Sequence, residues 1–464
     1  MVTLELIENL SSTELDELGR FAKYRFPRLR EEVSALIGIF RSSRTQIRSR
    51  KAIHERIFPK KRFNDKVIRY LLTDLNKVVY QFLSMKQLEK SQHEQQLLLL
   101  QELSDRGCQK TLEKTYRAEL KRLESSGRVD TDALHYYYEL HAIMAKAELG
   151  GGKRSSDIFE DSSRFLDQYF VAKKLQVSAE KINLNFILKK ESDDPFLDTI
   201  LQQIDAGLFS DSLYIGLYRL IIKSLIEPEN EGVFTELQHQ VPVLIGRLSE
   251  SELSDLYQYL LNYCIRRINA GNLSFQQELF SVYQSALENG ALFTNGYISQ
   301  WDFKNVVTIA LRTGHNSFAR EFIHSQKQHL AANQRTNALA YNLANLHFSE
   351  GDYRAAIKQL QKVDLDDVFY RLDARSILLK SYYELDDTDA LFYHATAFRS
   401  LLNRNRKISD QQRKLYLNLI KHTLSLSRWA DDLARIKSVQ KRIETDRNVA
   451  DLSWIENKLK GLLE

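Results

Sequence analysis

The sequence predicts an all-α chain: an α-solenoid of stacked helix hairpins with a small helical domain at its N-terminus. Three observations carry this. Helix-forming residues dominate, and only 5 prolines and 17 glycines interrupt 464 residues. No alternating apolar–polar run of strand length stands out. Helix-stop and helix-start signals recur about every 15–20 residues over most of the chain, the beat of stacked antiparallel helices. A pair of short helices cannot bury its shared apolar face alone, so neighbouring hairpins must stack on it.

Taken in order, Ser11-Ser12-Thr13-Glu14 reads as a capping box, with Ser at the N-cap and Glu three residues on. That helix continues through Leu15, Leu18 and Phe21 towards Pro27, and a second runs from about 28 to 41. Residues 41–69 form a basic zone: Arg41, Arg44, Arg48, Arg50, Lys51, Arg56, Lys60, Lys61, Arg62, Lys66 and Arg69 stand against only Glu55 and Asp65. A helix from about 65 to 83 completes a basic helical domain over 1–85. Residues 86–300 read as a divergent helix-hairpin array. It is broken near 104–107, at a flexible Gly150-Gly151-Gly152-Lys153-Arg154-Ser155-Ser156 loop (150–156), at Asn269-Ala270-Gly271-Asn272 and at Glu288-Asn289-Gly290. Asp194-Pro195 opens a helix, Pro228 ends one, and Pro242 falls inside an apolar-periodic run that it is expected to kink. Ser249–Glu252 and Ser409–Gln412 read as further capping boxes. Residues 401–464 supply a C-terminal repeat and a capping helix built on Leu452, Trp454, Ile455, Leu459 and Leu462.

The most informative stretch is 340–363. Ala340, Leu343, Ala344 and His347 share one helical face, Gly351 suits a helix end that needs positive φ, and Asp352 can cap the next helix. Small residues at Ala344 and Ala356 let the two helices approach. These residues resemble the tetratricopeptide repeat (TPR), whose small, aromatic, Gly-Asp-Tyr and Ala positions correspond here to Ala344, His347, Gly351-Asp352-Tyr353 and Ala356. His347 departs from the aromatic, although Phe348 sits beside it. Upstream, Val306, Ala310, Gly314, Ala319 and Ile323 fall in matching places. Downstream, Leu378, Tyr382, Tyr383, Asp386-Asp387 and Leu391 do so. The resemblance covers one to three repeats over 301–400 and implies a groove that takes a peptide or helix.

Charge is small overall, +5, but uneven: residues 1–100 hold 19 Lys and Arg against 12 Asp and Glu, and the remainder 47 against 49. The two cysteines, Cys108 and Cys264, match no metal or redox spacing and favour a reducing compartment. No signal-peptide pattern follows Met1, and apolar runs such as Leu97–Leu100 are too short for a bilayer, so a cytoplasmic location without membrane insertion is expected.

No catalytic, cofactor or metal signature emerges. The Gly-Gly-Gly-Lys loop lacks the first glycine, the hydroxyl residue and the preceding strand of a phosphate loop. His135/His141 and His324/His329 have the wrong spacing for zinc, and Asp193-Asp194, Asp366-Asp367 and Asp386-Asp387 fall at turns. The expected role is therefore a non-catalytic protein–protein interaction scaffold with a groove lined by Tyr341, Asn345, Phe348 and Tyr383. A carboxylate clamp is not expected, because Asp373 and Ile377 stand where its later cations belong. The alternative is a nucleic-acid-associated regulator using 41–69, with Arg41, Arg44, Arg48, Arg50, Lys51, Lys60, Lys61 and Arg62 as the basic patch and Phe58 and Phe63 as stacking rings.

Overall fold

A computed structural model describes residues 2–42, 49–150, 156–188, 190, 193–361, 368–405 and 407–464. Two compact units emerge: residues 1–127 with 131–170, and residues 128–130 with 171–464.

The first unit contains α1 (Val2–Glu8), α2 (Ser12–Arg25), α3 (Glu31–Ser42), α4 (Arg50–Ile57), α5 (Asp65–Lys90), α6 (Gln92–Asp105), α7 (Gln109–Ser126), α8 (Thr131–Gly150) and the start of α9 (Asp157–Leu188). Ser11 and Glu14 form the expected capping box: the Glu14 amide donates to Ser11 Oγ at 3.1 Å and the Ser11 amide to Glu14 Oε2 at 2.7 Å. Helices α1–α5 share one apolar core that includes Leu15, Leu18, Val33, Leu36, Leu71, Leu75 and Val79. Helix α5 runs seven residues beyond its expected end at 83. A second core joins α6–α8 through Leu100, Leu112, Leu123, Tyr136 and Leu140.

The second unit contains the rest of α9, then α10 (Pro195–Asp205), α11 (Leu213–Ile226), α12 (Glu231–Leu244), α13 (Glu250–Asn269), α14 (Phe275–Glu288), α15 (Gln300–Arg312), α16 (Asn316–Gln326), α17 (Ala332–Ser349), α18 (Tyr353–Leu360), α19 (Val368–Glu384), α20 (Thr388–Arg404), α21 (Asp410–Arg428), α22 (Leu433–Thr445) and α23 (Leu452–Leu463). These are stacked helix hairpins. From α15 onward each odd helix packs on both its neighbours and on the next odd helix, whereas α16, α18, α20 and α22 pack chiefly on the helices adjacent in sequence. The only sheet among the described residues is β1 (Phe293–Thr294) with β2 (Tyr297–Ile298), turned by Asn295-Gly296 at positive φ.

Two expectations need correction. Pro242 does not kink a continuing helix: α12 ends two residues later, at Leu244. Ser249 caps α13 through the Glu252 amide, but Glu252 does not reach back; its Oε1 instead accepts the Tyr214 hydroxyl at 2.7 Å. The Ser249 amide donates instead to Asp130 Oδ2 at 3.1 Å, so the N-cap amide and the buried Tyr214 phenol are both paired.

Candidate functional site

Three consecutive hairpins, α15–α16, α17–α18 and α19–α20, close in the same way. Gly314, Gly351 and Asp386 occupy the left-handed position with φ of 81°, 81° and 53°. The amide of each donates to the carbonyl three residues back (Leu311, Phe348, Tyr383; 3.2, 3.1 and 3.1 Å). The next amide donates five residues back (Ala310, His347, Tyr382; 2.7, 2.9 and 3.1 Å), which completes a Schellman turn each time. Asp352 and Asp387 then cap the second helix by accepting the Ala355 and Ala390 amides at 3.0 and 3.1 Å. Ala344 and Ala356 are fully buried between α17 and α18, as the helix-approach argument requires.

The face on which odd helices meet carries a polar stripe centred on α19. Asp373, Ser376, Lys380 and Glu384 project on one side of it. Asp373 pairs with Lys304 of α15 and accepts the Tyr416 hydroxyl at 2.7 Å. The Lys304 ammonium lies 5.7, 5.4 and 5.1 Å from the ring centres of Trp301, Tyr341 and Tyr370. Lys380 and Ser376 both donate to Asp451, at 2.6 and 2.9 Å. Burial alone would raise the Asp451 carboxyl; the charge and hydrogen bond of Lys380, with help from Arg312 and Ser376, hold it down at about 2. Glu384 accepts the Trp454 indole N–H at 2.8 Å and Lys458 at 2.7 Å. Every charge in this stripe is met by another, so it locks α15, α19, α21 and α23 together and leaves no open valence for a ligand.

That packing decides where the expected groove residues stand. Tyr341 is 4% exposed and lies edge-on to Tyr370 at 5.0 Å. Phe348 is half-buried below the Lys380 ammonium, 4.8 Å away, and shares a core with Ala344 and Ala356. Tyr383 packs edge-on against Trp454 at 5.3 Å in the core of the C-terminal helices. Asn345 is half-buried. Tyr341 and Phe348 are thus brought together as filling between hairpins, and Tyr383 belongs to a separate cluster. Beside Tyr383, however, a cavity of about 410 Å3 opens, walled by Tyr382, Asp386 and Thr388 of the α19–α20 turn, Ser427 of α21, and Asn457, Lys458 and Gly461 of α23.

In the basic segment Arg44 and Arg48 lie outside the described residues. Arg41 pairs with Asp16 at 3.3 Å, and Arg50 and Arg69 both pair with Asp65, at 3.2 and 3.0 Å. Lys51, Lys60, Lys61 and Arg62 are exposed, and Lys61 sits 5.1 Å from the Phe58 ring centre. Phe58 and Phe63 flank the buried His54 at 5.3 and 5.4 Å, so both anchor the small domain while Phe63 keeps one face in water.

Residues 151–155 of the glycine loop and Asp366-Asp367 also lie outside the described residues. His141 is engaged by the Tyr116 hydroxyl at 2.8 Å, and among the described residues no group of three His, Cys, Asp or Glu is placed to hold a metal. No protein-family model matches the chain, and comparison with curated proteins and with solved structures gave no match.

Sequence reasoning missed the polar stripe and the cavity. The stripe had no local signal, since Lys304 and Asp373 are 69 residues apart. The cavity had one: Asp386 stands where the two preceding turns carry glycine.

Proposed function

We propose that the chain is a non-catalytic protein–protein interaction scaffold whose helix-hairpin array takes a helix or peptide of a partner. The observation that carries this is a row of apolar side chains on α9: Val177, Leu184 and Leu188 recur at i, i+7 and i+11 and are 51%, 54% and 51% exposed. Such a stripe on a helix face matches what an amphipathic partner helix covers. The repeated Schellman turns and the buried Ala344/Ala356 contact support the TPR-like reading of 301–400. The test places a photo-crosslinking residue at Leu184 and, separately, at Asn345 of the full chain in lysate of the source cells. A discrete crosslinked polypeptide from either position, absent when the crosslinker replaces the exposed Lys77, is the expected result. Identical backgrounds from all three positions would discard the scaffold.

A second reading is favoured by one specific observation. Phe63 and Tyr70, 42% and 56% exposed, stand among exposed Lys60, Lys61, Arg62 and Lys66, a combination that binds single-stranded nucleic acid by charge and stacking. An oligonucleotide mobility shift that weakens with salt and is lost in Lys60→Glu/Lys61→Glu/Arg62→Glu would support it. The absence of any shift at low salt would remove it.

A further inference from the structure

The cavity at the α19–α20 turn gathers polar groups that hydrogen bonding within the fold does not exhaust. Tyr382, Tyr383 and Asn457 line it, and their side-chain polar groups have no hydrogen-bond partner among the described residues. Lys458 is the one cation in the wall, and it is occupied by Glu384, which is itself satisfied by Trp454. Asp387 spends one oxygen on its helix cap. Asp386 spends none among the described residues, so the cavity keeps an unneutralised carboxylate beside two aromatic residues.

Two residues in this wall go against local preference. Asp386 holds φ at 53°, where its sister turns use glycine, in a region that disfavours a residue with a Cβ. Gly461 lies in the last turn of α23 at a helical φ that any residue adopts, and a Cβ built on it meets nothing within 4 Å. Neither backbone nor packing calls for glycine there; what lies in front of it is the cavity. Locally disfavoured choices that converge on one concavity mark function more often than they mark folding.

We propose that this cavity binds a guanidinium or ammonium group, the arginine or lysine side chain of a partner polypeptide. The Asp386 carboxylate supplies the counter-charge, Tyr382 and Tyr383 form the aromatic part of the wall, and the open space before Gly461 admits the aliphatic stem. The volume of about 410 Å3 falls within the range of sites that enclose a small group. This rests on the interaction-scaffold reading and adds the chemistry of one contact.

The test measures fluorescence anisotropy of a short arginine-rich peptide, its citrulline analogue, and free agmatine as competitor, against the full chain. Two variants probe the wall. Asp386→Asn removes the charge and keeps a residue that tolerates positive φ. Gly461→Leu fills the cavity without altering any charge. Saturable binding of the arginine peptide, weaker by about tenfold for the citrulline analogue and for both variants, is expected, with melting curves like the parent's. Gly461→Leu guards against simple adhesion to acidic surface, which it would leave unchanged. Equal binding of the citrulline peptide, unaltered binding by Gly461→Leu, or no binding at all overturns the proposal. Agmatine that binds as tightly as the peptide overturns the polypeptide source and leaves a small free cation. Crosslinking at Leu184 reports on the scaffold separately, so failure here and failure there are distinguishable.

Discussion

The α17–α18 and α19–α20 hairpins have the same turn and different insides. Both close with the same pair of Schellman bonds and the same aspartate cap. Seven residues before the turn and four after its capping aspartate, the first hairpin buries Ala344 against α18 and Ala356 against α17. At those places the second buries Leu379 and Leu391. The hairpin one step earlier has Val307 and Ala319, also buried. The turn therefore defines the hairpin, and side-chain size at two positions sets how closely its helices lie. This is why a repeat pattern built on small residues is clear over 340–363 and fades on either side, although the backbone does not change its way of turning.

The comparison can be broken most forcefully by exchanging sizes. Leu379→Ala is expected to cost about 3 kcal/mol, since deleting a fully buried leucine leaves a cavity that its neighbours cannot wholly close. Ala344→Leu is expected to cost about 2–3 kcal/mol by overpacking, although leucine is what the next hairpin uses at that place. Urea denaturation of both variants checks this. If Ala344→Leu were as stable as the parent, the closeness of α17 and α18 would not depend on small side chains.

Acid should separate the hairpins next. The second carries buried His394 on α20, and the helix that follows carries buried His422. Burial lowers both to about 4; the Arg375 carbonyl opposes this at His394 while the Arg375 charge adds to it, and at His422 Lys421 and Arg442 add to it against Asp446. An unfolded histidine titrates near 6.5, so between about pH 6.5 and 4 the unfolded chain binds more protons and stability falls as pH falls. By about pH 5.5 the loss should be on the order of 1 kcal/mol per histidine, together below that of Leu379→Ala. Thermal melts across that range should steepen in the parent and flatten in His394→Gln/His422→Gln. A parent whose melting temperature is level from pH 6.5 to 4.5 would contradict it.

What could be read from the sequence was local. Caps and stops depend on residues three to five apart, so Ser11, Gly351, Asp352 and Ser409 were legible, and the all-helical class with them. Periodicity shows which face of a helix is apolar, but not whether a neighbour covers a polar or aromatic residue on it. Tyr341 looked like groove lining and is a wedge against Tyr370; Arg41 and Arg50 looked like free cations and have Asp16 and Asp65 opposite. The same limit hid the Glu252–Tyr214 bond, which connects residues 38 apart.

The smallest effect is the most discriminating, because it asks whether Asp386 serves the fold at all. Gly351→Asp places in the first turn what the second turn has, and Asp386→Gly does the reverse. If the left-handed position alone decides, the first should cost and the second should gain about 1 kcal/mol. Among the described residues Asp386 makes no side-chain hydrogen bond that Asp386→Gly would break, and Asp387 keeps the cap, so the gain is unopposed there. A more stable Asp386→Gly that has lost affinity for the arginine peptide would show a turn holding a disfavoured residue for the sake of its carboxylate. A less stable Asp386→Gly would instead assign that side chain to the hairpin itself, and the difference between the two turns would be one of packing alone.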